Sequence, residues 1–202
     1  MRWKVKITKL EVQKNDKNRV NLYLDDKFYS GIPAELVYLE HLKTGMEIDQ
    51  EELDKIVFEN EKSKALSRVT KYIGSSLKTQ KQIRDYLKKK EYTPKTISYV
   101  NQKLLEYDYI DDEKYAKAYV LTYGKKYGKL KLKSQLKQKG VCDEIIEETL
   151  DQTQIDSIGE VANKYLKNKP WSPEVKQKLI RFLCSRGYEF EDINSYINNL
   201  NK

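Results

Sequence analysis

Long hydrophobic runs are missing from this chain of 202 residues. No window approaches the ~18 continuous apolar residues that a membrane-spanning helix needs, so no helical membrane span is expected. The opening "MRWKVKITKL" alternates lysine with apolar residues and lacks the unbroken apolar core of a secretory signal. Cysteine is scarce: Cys142 and Cys184 are the only two, and their separation fits no metal-ligand spacing. Two free thiols in a reducing, cytoplasmic compartment is the expected reading. His41 is the sole histidine, which excludes a histidine-rich metal site and argues against a catalytic triad. Phe and Trp are few, at 4 and 2, against 16 Tyr, so amphipathic rings must supply much of the core. A glycine-rich phosphate loop is also lacking. Gly124 and Gly128 flank "KKY" without the strand–loop–helix context or the lysine position of such a loop.

Charge is abundant, at 35% of residues, and unevenly spread. Residues 1–60 hold 10 Lys/Arg against 12 Asp/Glu, whereas residues 61–202 hold 29 against 19. The basic excess of the larger C-terminal part points to an anionic partner, without choosing between nucleic acid and an acidic protein surface.

Residues 1–32 read as β structure. "WKVKITKLEV" alternates Trp3, Val5 and Ile7, then changes phase to Leu10 and Val12, which predicts a bulge near Thr8–Lys9. "VNLYL", the turn "DDK" and "FYSGI" follow, giving three short antiparallel strands ended by Pro33. "AELVYLEHLKTG" predicts a short helix over 34–44 closed by Gly45, with His41 near its C-terminal end. From Asp49 onward everything reads as helix. Asp49 with Glu52, Thr79 with Gln82, and Asp111 offer N-caps, while Thr93–Pro94 and Ser172–Pro173 pair a cap with a first-turn proline.

The helical part repeats. Aligning Tyr92, Val141 and Tyr188 as anchors gives spacings of 49 and 47 residues. Nine residues before each anchor stand Ile83, Leu132 and Leu179; five before stand Leu87, Leu136 and Leu183; five after stand Ile97, Ile146 and Ile193. Gly140 and Gly187 precede two anchors as helix-ending glycines, and Glu91 precedes the first. Each unit is expected to be a longer helix, a short helix, a tight turn and another short helix. The fold class is therefore mainly α, with three tandem three-helix repeats behind a small N-terminal antiparallel β/α extension. The expected divisions are 1–48 for the extension, then 49–108, 109–153 and 154–202 for the repeats. The alternating "KLKLK" belongs to a helix on this register, with Leu130 as its odd member.

No constellation for catalysis is present, so the chain is not expected to be an enzyme, and no metal or cofactor is expected. Asp111–Glu113 suits a helix N-terminus, and Asp143, Glu144, Glu147 and Glu148 read as helical surface decoration. The lysines sort by helical angle. Two residues before each anchor stand Lys90, Lys139 and Arg186, placed to complement a helix C-terminus while their stems cover the core. Positions eight and four before the anchor face outward, at about 100° and 140° from the buried stripe. They carry Arg84 and Lys88 in the first unit and Lys133 and Lys137 in the second; the third has Ile180 and Cys184, an apolar ridge expected to be packed. This basic ridge fits either a binding surface or a solvated face. Lys125, Lys126 and Lys129 are expected in an inter-helix loop, free to reach an acidic partner. Tyr119, Tyr123 and Tyr127 fit core packing better than stacking on single-stranded bases.

The run Leu104–Val141 resembles the RecX family of bacterial recombination regulators, on its acidic pair, Tyr115–Ala116 and Tyr119, its Gly/Lys loop, Leu132, Leu136 and Lys139–Gly140. Leu179–Ile193 is similar to that family's last repeat, and "LKTQKQIRDYLKKKEY" is a looser first one. The resemblance covers residues about 62–200; the strand-rich head also looks like the extension of longer members. Glu91, where glycine is usual, and the "DDK" hairpin depart from the pattern. The resemblance implies an elongated, curved repeat body; a monomer is expected. It also implies binding to the RecA filament on single-stranded DNA, with inhibition of recombination, ATPase and coprotease activity by lying in the filament groove. Direct DNA binding, with RecA contact secondary, is the alternative it implies.

Overall fold

The computed structural model describes residues 4–153, 155 and 158–200; Trp3 of the strand pattern lies outside them. They form two compact units, one ending at Ile110 and one beginning at Asp111.

The first unit opens with an antiparallel sheet of β1 (Lys4–Val12), β2 (Arg19–Leu24), β3 (Lys27–Pro33) and β4 (Glu47–Asp49), in the order β3-β2-β1-β4. The predicted phase change is real, with a register shift between Ile7 and Lys9. It lets Ile7 and Leu10 pack toward one core although they stand an odd number of residues apart. The fourth strand corrects the expectation of three. Its three residues "EID" are too short to show alternation, and β1 recruits them through Lys4–Lys6.

The helix expected over 34–44 is shorter. α1 (Ala34–Leu39) ends early, His41 takes a left-handed φ of 51°, and Leu42 turns back to be buried. Leu42 would lie about 240° around a continued helix from Leu36, on its wrong side, so the chain leaves the helix to bury both. His41 is thus an exposed turn residue rather than a last-turn one.

α2 (Gln50–Ile73) starts at Asp49, whose side chain accepts from the Glu52 amide at 3.2 Å. Leu53, Val57, Glu61, Ala65 and Val69 form its buried stripe at helical spacing. Leu53 and Val57 join the sheet core, and Ala65 and Val69 join the core of α3 (Gln80–Lys89) and α4 (Pro94–Glu106). One helix therefore serves two cores, with Glu61 between them.

The second unit contains α5 (Asp112–Tyr123), α6 (Lys129–Gln138), α7 (Asp143–Gln152), α8 (Ile158–Leu166), α9 (Pro173–Ser185) and α10 (Phe190–Leu200). α5 to α7 share one core and α8 to α10 another. The expected caps at Thr79, Thr93, Asp111 and Ser172 all accept from an amide three residues on. Each of the repeat positions from Ile83 to Ile193 set out above is buried, as are the anchors Tyr92, Val141 and Tyr188. "KLKLK" is helix, with Leu132 buried and Leu130 at 52% exposure. A longer leading helix holds for the first two repeats only: α2 has 24 residues and α5 has 12, but α8 has 9 described residues against 13 in α9.

Candidate functional site

The expected basic residues fall in three settings. On α3, Arg84 and Lys88 are exposed beside the buried pair Ile83 and Leu87, and neither forms an ion pair among the described residues. Their neighbours Lys81 and Asp85 pair with each other at 2.8 Å. The Lys81 hydrogen bond, helped by the charges of Lys88 and Arg84, holds the Asp85 carboxyl below its ordinary range.

On α6 the same register positions are engaged. Lys137 Nζ meets Asp143 Oδ1 at 2.7 Å, Lys133 Nζ meets Glu147 Oε1 at 2.8 Å, and Lys129 Nζ stands 3.9 Å from Asp151 Oδ1. Two helices running in opposite senses around the Gly140 turn place lysines four apart against carboxylates four apart. The hydrogen bond to Glu147 raises the Lys133 ammonium above its usual range. Asp143 and Glu147 are thus ladder partners rather than surface decoration. Shifting this ladder by 49 residues puts Pro94, Ser98 and Gln102 where α7 has its three carboxylates. The first repeat has nothing with which to neutralise Arg84 and Lys88 in this way. Lys129 also departs from its expected loop position, being the first residue of α6.

Lys125 and Lys126 do lie in the α5–α6 turn, exposed, and neither has an ion-pair partner among the described residues. With Tyr127 they line a cleft of about 500 Å³ within the second unit, whose other walls are Val161, Lys164, Tyr165, Phe182 and Arg186. Close backbone approach sets this turn against α9. The Gly128 and Leu130 amides donate to the Arg186 and Gly187 carbonyls at 3.0 and 3.1 Å. A Cβ on Gly128 would stand 2.3 Å from the Gly187 carbonyl oxygen, so only glycine fits.

The tyrosines pack on one another. Tyr119 lies 4.5 Å from Tyr123 and Tyr123 lies 6.3 Å from Tyr127, ring centre to ring centre, with Tyr119 and Tyr127 set against the α5–α7 core. Burial raises the Tyr119 hydroxyl pKa, and that hydroxyl donates to Gln135 Oε1 at 3.0 Å. Lys90, Lys139 and Arg186 are all helix C-caps. Lys139 covers Tyr119 at 5.4 Å, while Arg186 lies over both Tyr127 and Phe182. The apolar ridge of the third repeat is only half packed: Ile180 joins the core, but Cys184 is exposed, like Cys142, and both are free thiols.

The head is fastened to the first repeat at the turn where glycine is replaced. Glu91 has a φ of 61°, close to the αL conformation of Gly140 and Gly187. Its carbonyl accepts from Ser30 Oγ at 2.8 Å and from the Gly31 amide at 3.3 Å, and its carboxylate accepts from Gln13. Nearby, buried Glu61 accepts from the Thr93 amide and hydroxyl, both at 3.3 Å, and from the Thr96 hydroxyl at 3.1 Å. Burial raises the Glu61 carboxyl above its usual range, opposed by those hydrogen bonds and by the Arg19 charge.

Sequence pattern alone leaves Lys164, Tyr165 and Phe182 out of any site and assigns Arg186 only to a helix end. Their one sequence signal is an absence, since no Asp or Glu occurs from Val161 to Pro173. The charge balance could also have separated the repeats. Residues 61–110 carry twelve Lys/Arg against five Asp/Glu, and residues 111–202 carry seventeen against fourteen.

Three three-helix repeats behind a small sheet, with charged surfaces as the prominent features, define a helical-repeat protein. The comparisons place it more narrowly. Family models match in sequence order: the regulatory protein RecX N-terminal domain at residues 5–49, and the first, second and third RecX three-helix domains at 65–109, 111–150 and 152–197. The chain is 39% identical over 203 residues to regulatory protein RecX of Clostridium tetani, covering 96% of this chain and 94% of that one. It is 34% identical to regulatory protein RecX of Bacillus velezensis, covering 94% and 75%. A crystal structure of regulatory protein RecX matches with a TM-score of 0.62 at 27% identity, covering 96% of this chain and 99% of that one. RecX from Lactobacillus salivarius matches with a TM-score of 0.62 at 26% identity, covering 70% and 97%. The chain belongs to the RecX family of regulatory proteins. Among the described residues no helix is long and apolar enough to cross a membrane.

Proposed function

We propose that this protein binds the RecA recombinase filament formed on single-stranded DNA and inhibits its recombination, ATPase and coprotease activities, lying in the filament groove. Membership of a family of regulatory proteins supports this choice of partner. The observation that carries the contact is the exposed pair Arg84 and Lys88 on α3, basic and without a carboxylate partner among the described residues. An acidic protein surface would gain two charge pairs there without first breaking any. Lys133 and Lys137, already paired to α7, would have to exchange partners to take part.

Inhibition of RecA's DNA-dependent ATPase tests the reading. Arg84→Ala with Lys88→Ala is expected to raise the half-inhibiting concentration roughly tenfold, on the order of 1.4 kcal/mol, and to flatten its salt dependence. Lys133→Ala with Lys137→Ala is expected to change it much less. Equal loss from both pairs would remove α3 as the principal contact. Unchanged inhibition by the α3 variant, with its helical spectrum intact, would remove that surface from the account altogether.

A second reading, direct DNA binding with RecA contact secondary, is favoured by one observation, the cation-lined cleft between the α5–α6 turn and α8–α9. Excess free DNA separates the two readings. Under filament binding it leaves ATPase inhibition in place; under direct DNA binding it titrates the inhibition away.

A further inference from the structure

The cleft holds four cations, Lys125, Lys126, Lys164 and Arg186, and no carboxylate lines it. None of the four forms an ion pair among the described residues. Such convergence has an electrostatic cost that the second unit accepts although its own α7 carboxylates neutralise the lysines of α6.

The rings decide what kind of site this is. Arg186 Cζ lies 5.0 Å from the Phe182 ring centre and 5.6 Å from that of Tyr127, so its guanidinium touches two rings. Phe182 stacks on Tyr165 at 4.5 Å, and Lys169 Nζ covers Tyr165 at 3.4 Å. Tyr127 also carries Lys131 at 5.1 Å. The column is therefore already occupied by internal partners, which leaves little room for bases to stack. What the column does is fix Arg186. Ring contacts use none of the guanidinium's N–H donors, and here no side-chain hydrogen bond uses them among the described residues. Beside it stand Lys125 and Lys126, on the turn that the Gly128–Arg186 and Leu130–Gly187 hydrogen bonds set against α9, and Lys164 on α8.

We propose that this cleft grips phosphate groups of a single-stranded nucleic acid, with Arg186 as the fixed fork and Lys125, Lys126 and Lys164 as mobile counter-charges. Recognition runs through the backbone, so the site is indifferent to base identity. The cleft is open and its cations are spread over two walls, which suits successive phosphodiesters better than one isolated anion. The proposal deepens the second functional reading and is independent of RecA and of α3.

The test is fluorescence anisotropy of the full chain with a labelled oligo-dT strand across a salt series. Lys125→Gln, Lys126→Gln and Lys164→Gln together are expected to lower the slope of log affinity against log salt by about 2 and to weaken binding at least tenfold at low salt. Arg186→Lys keeps the charge but loses the guanidinium fork, and is expected to weaken binding severalfold with the slope nearly unchanged. Lys178→Gln, an exposed α9 position outside the cleft, is expected to leave both unchanged. An abasic strand competing as well as oligo-dT supports backbone recognition; failure of the abasic strand overturns it in favour of base contacts. Pyrophosphate competing at equal phosphate concentration would overturn the strand in favour of a free anion. Poly-glutamate competing equally would overturn nucleic acid in favour of an acidic protein. Wild-type affinity and slope in the triple lysine variant would overturn the site itself. Strand binding lost with RecA ATPase inhibition retained leaves the filament reading standing, so the two fail separately.

Discussion

The first and second repeats place basic residues at the same register positions and then do opposite things with them. α3 leaves Arg84 and Lys88 without ion-pair partners among the described residues, whereas α6 lays Lys129, Lys133 and Lys137 along the carboxylates of α7. The two also close differently. The first repeat ends its middle helix on Glu91, held by the head, while the second and third use Gly140 and Gly187. Sequence alone makes "GKKYGKLKLKSQLKQKG" the most basic-looking stretch of the chain, yet much of that charge is answered at home. Density of lysine and availability of lysine are separate quantities, and the neighbouring helix decides between them.

The largest expected effect concerns the turns. Gly187 has a φ of 82°, and a Cβ there would stand 2.4 Å from the Lys131 amide nitrogen, a backbone atom that cannot step aside. Gly187→Ala is expected to destabilise the second unit by about 3 kcal/mol, combining left-handed strain with overlap. Glu91→Gly is expected to stay within about 1 kcal/mol of the parent, because relief of the left-handed backbone offsets the lost Gln13 link. Urea unfolding followed by circular dichroism reads both. A tolerated Gly187→Ala would break the contrast between the two kinds of turn.

How much of this was legible follows the reach of each signal. The caps at Asp49, Thr79, Thr93, Asp111 and Ser172, and the buried triplets anchored on Tyr92, Val141 and Tyr188, were readable because both are local patterns with fixed spacing. β4 was not, since three residues carry no period and their strand state depends on β1 lying alongside. The α6–α7 ladder was present in the sequence as two matching stripes. Pairing them requires knowing that the helices run antiparallel about the Gly140 turn. The cleft was illegible for a further reason: Lys125 and Lys126 meet Arg186 through backbone hydrogen bonds at Gly128 and Leu130, and Lys164 joins them from α8, none of which leaves a mark in composition.

The second expected effect distinguishes how the repeats start their third helix. α4 has Thr93 and the buried Glu61 carboxylate at its N-terminus, while α7 begins at Cys142 with no side-chain cap. Because burial raises the folded pKa of Glu61 above its unfolded value, the protonated form favours folding. That contribution is complete below the ordinary glutamate range and is lost as pH rises through the raised folded value. The first unit is therefore expected to lose stability toward neutral pH in a way that Glu61→Gln abolishes. Urea midpoints measured from pH 4 to 8 on both proteins check it, with a difference in slope of at most about 1.4 kcal/mol per pH unit, the linkage of one proton. Parallel pH profiles in the two proteins would place the cost of burial elsewhere.

The smallest effect tests the ladder itself. Exposed ion pairs contribute little to stability, so Lys133→Glu with Lys137→Glu is expected to lower the melting temperature of the second unit by only a few degrees. Adding Asp143→Lys and Glu147→Lys restores opposite charges in reversed order and is expected to recover most of that loss. Recovery would establish that α6 and α7 answer each other's charge in solution, which is the premise of the contrast with α3. The reciprocal experiment supplies what α4 lacks. Ser98→Glu, at the register position of Glu147, would give Arg84 a carboxylate partner and is expected to weaken RecA inhibition without unfolding the helix. If that substitution left inhibition untouched, the availability of Arg84 would not be what distinguishes the first repeat.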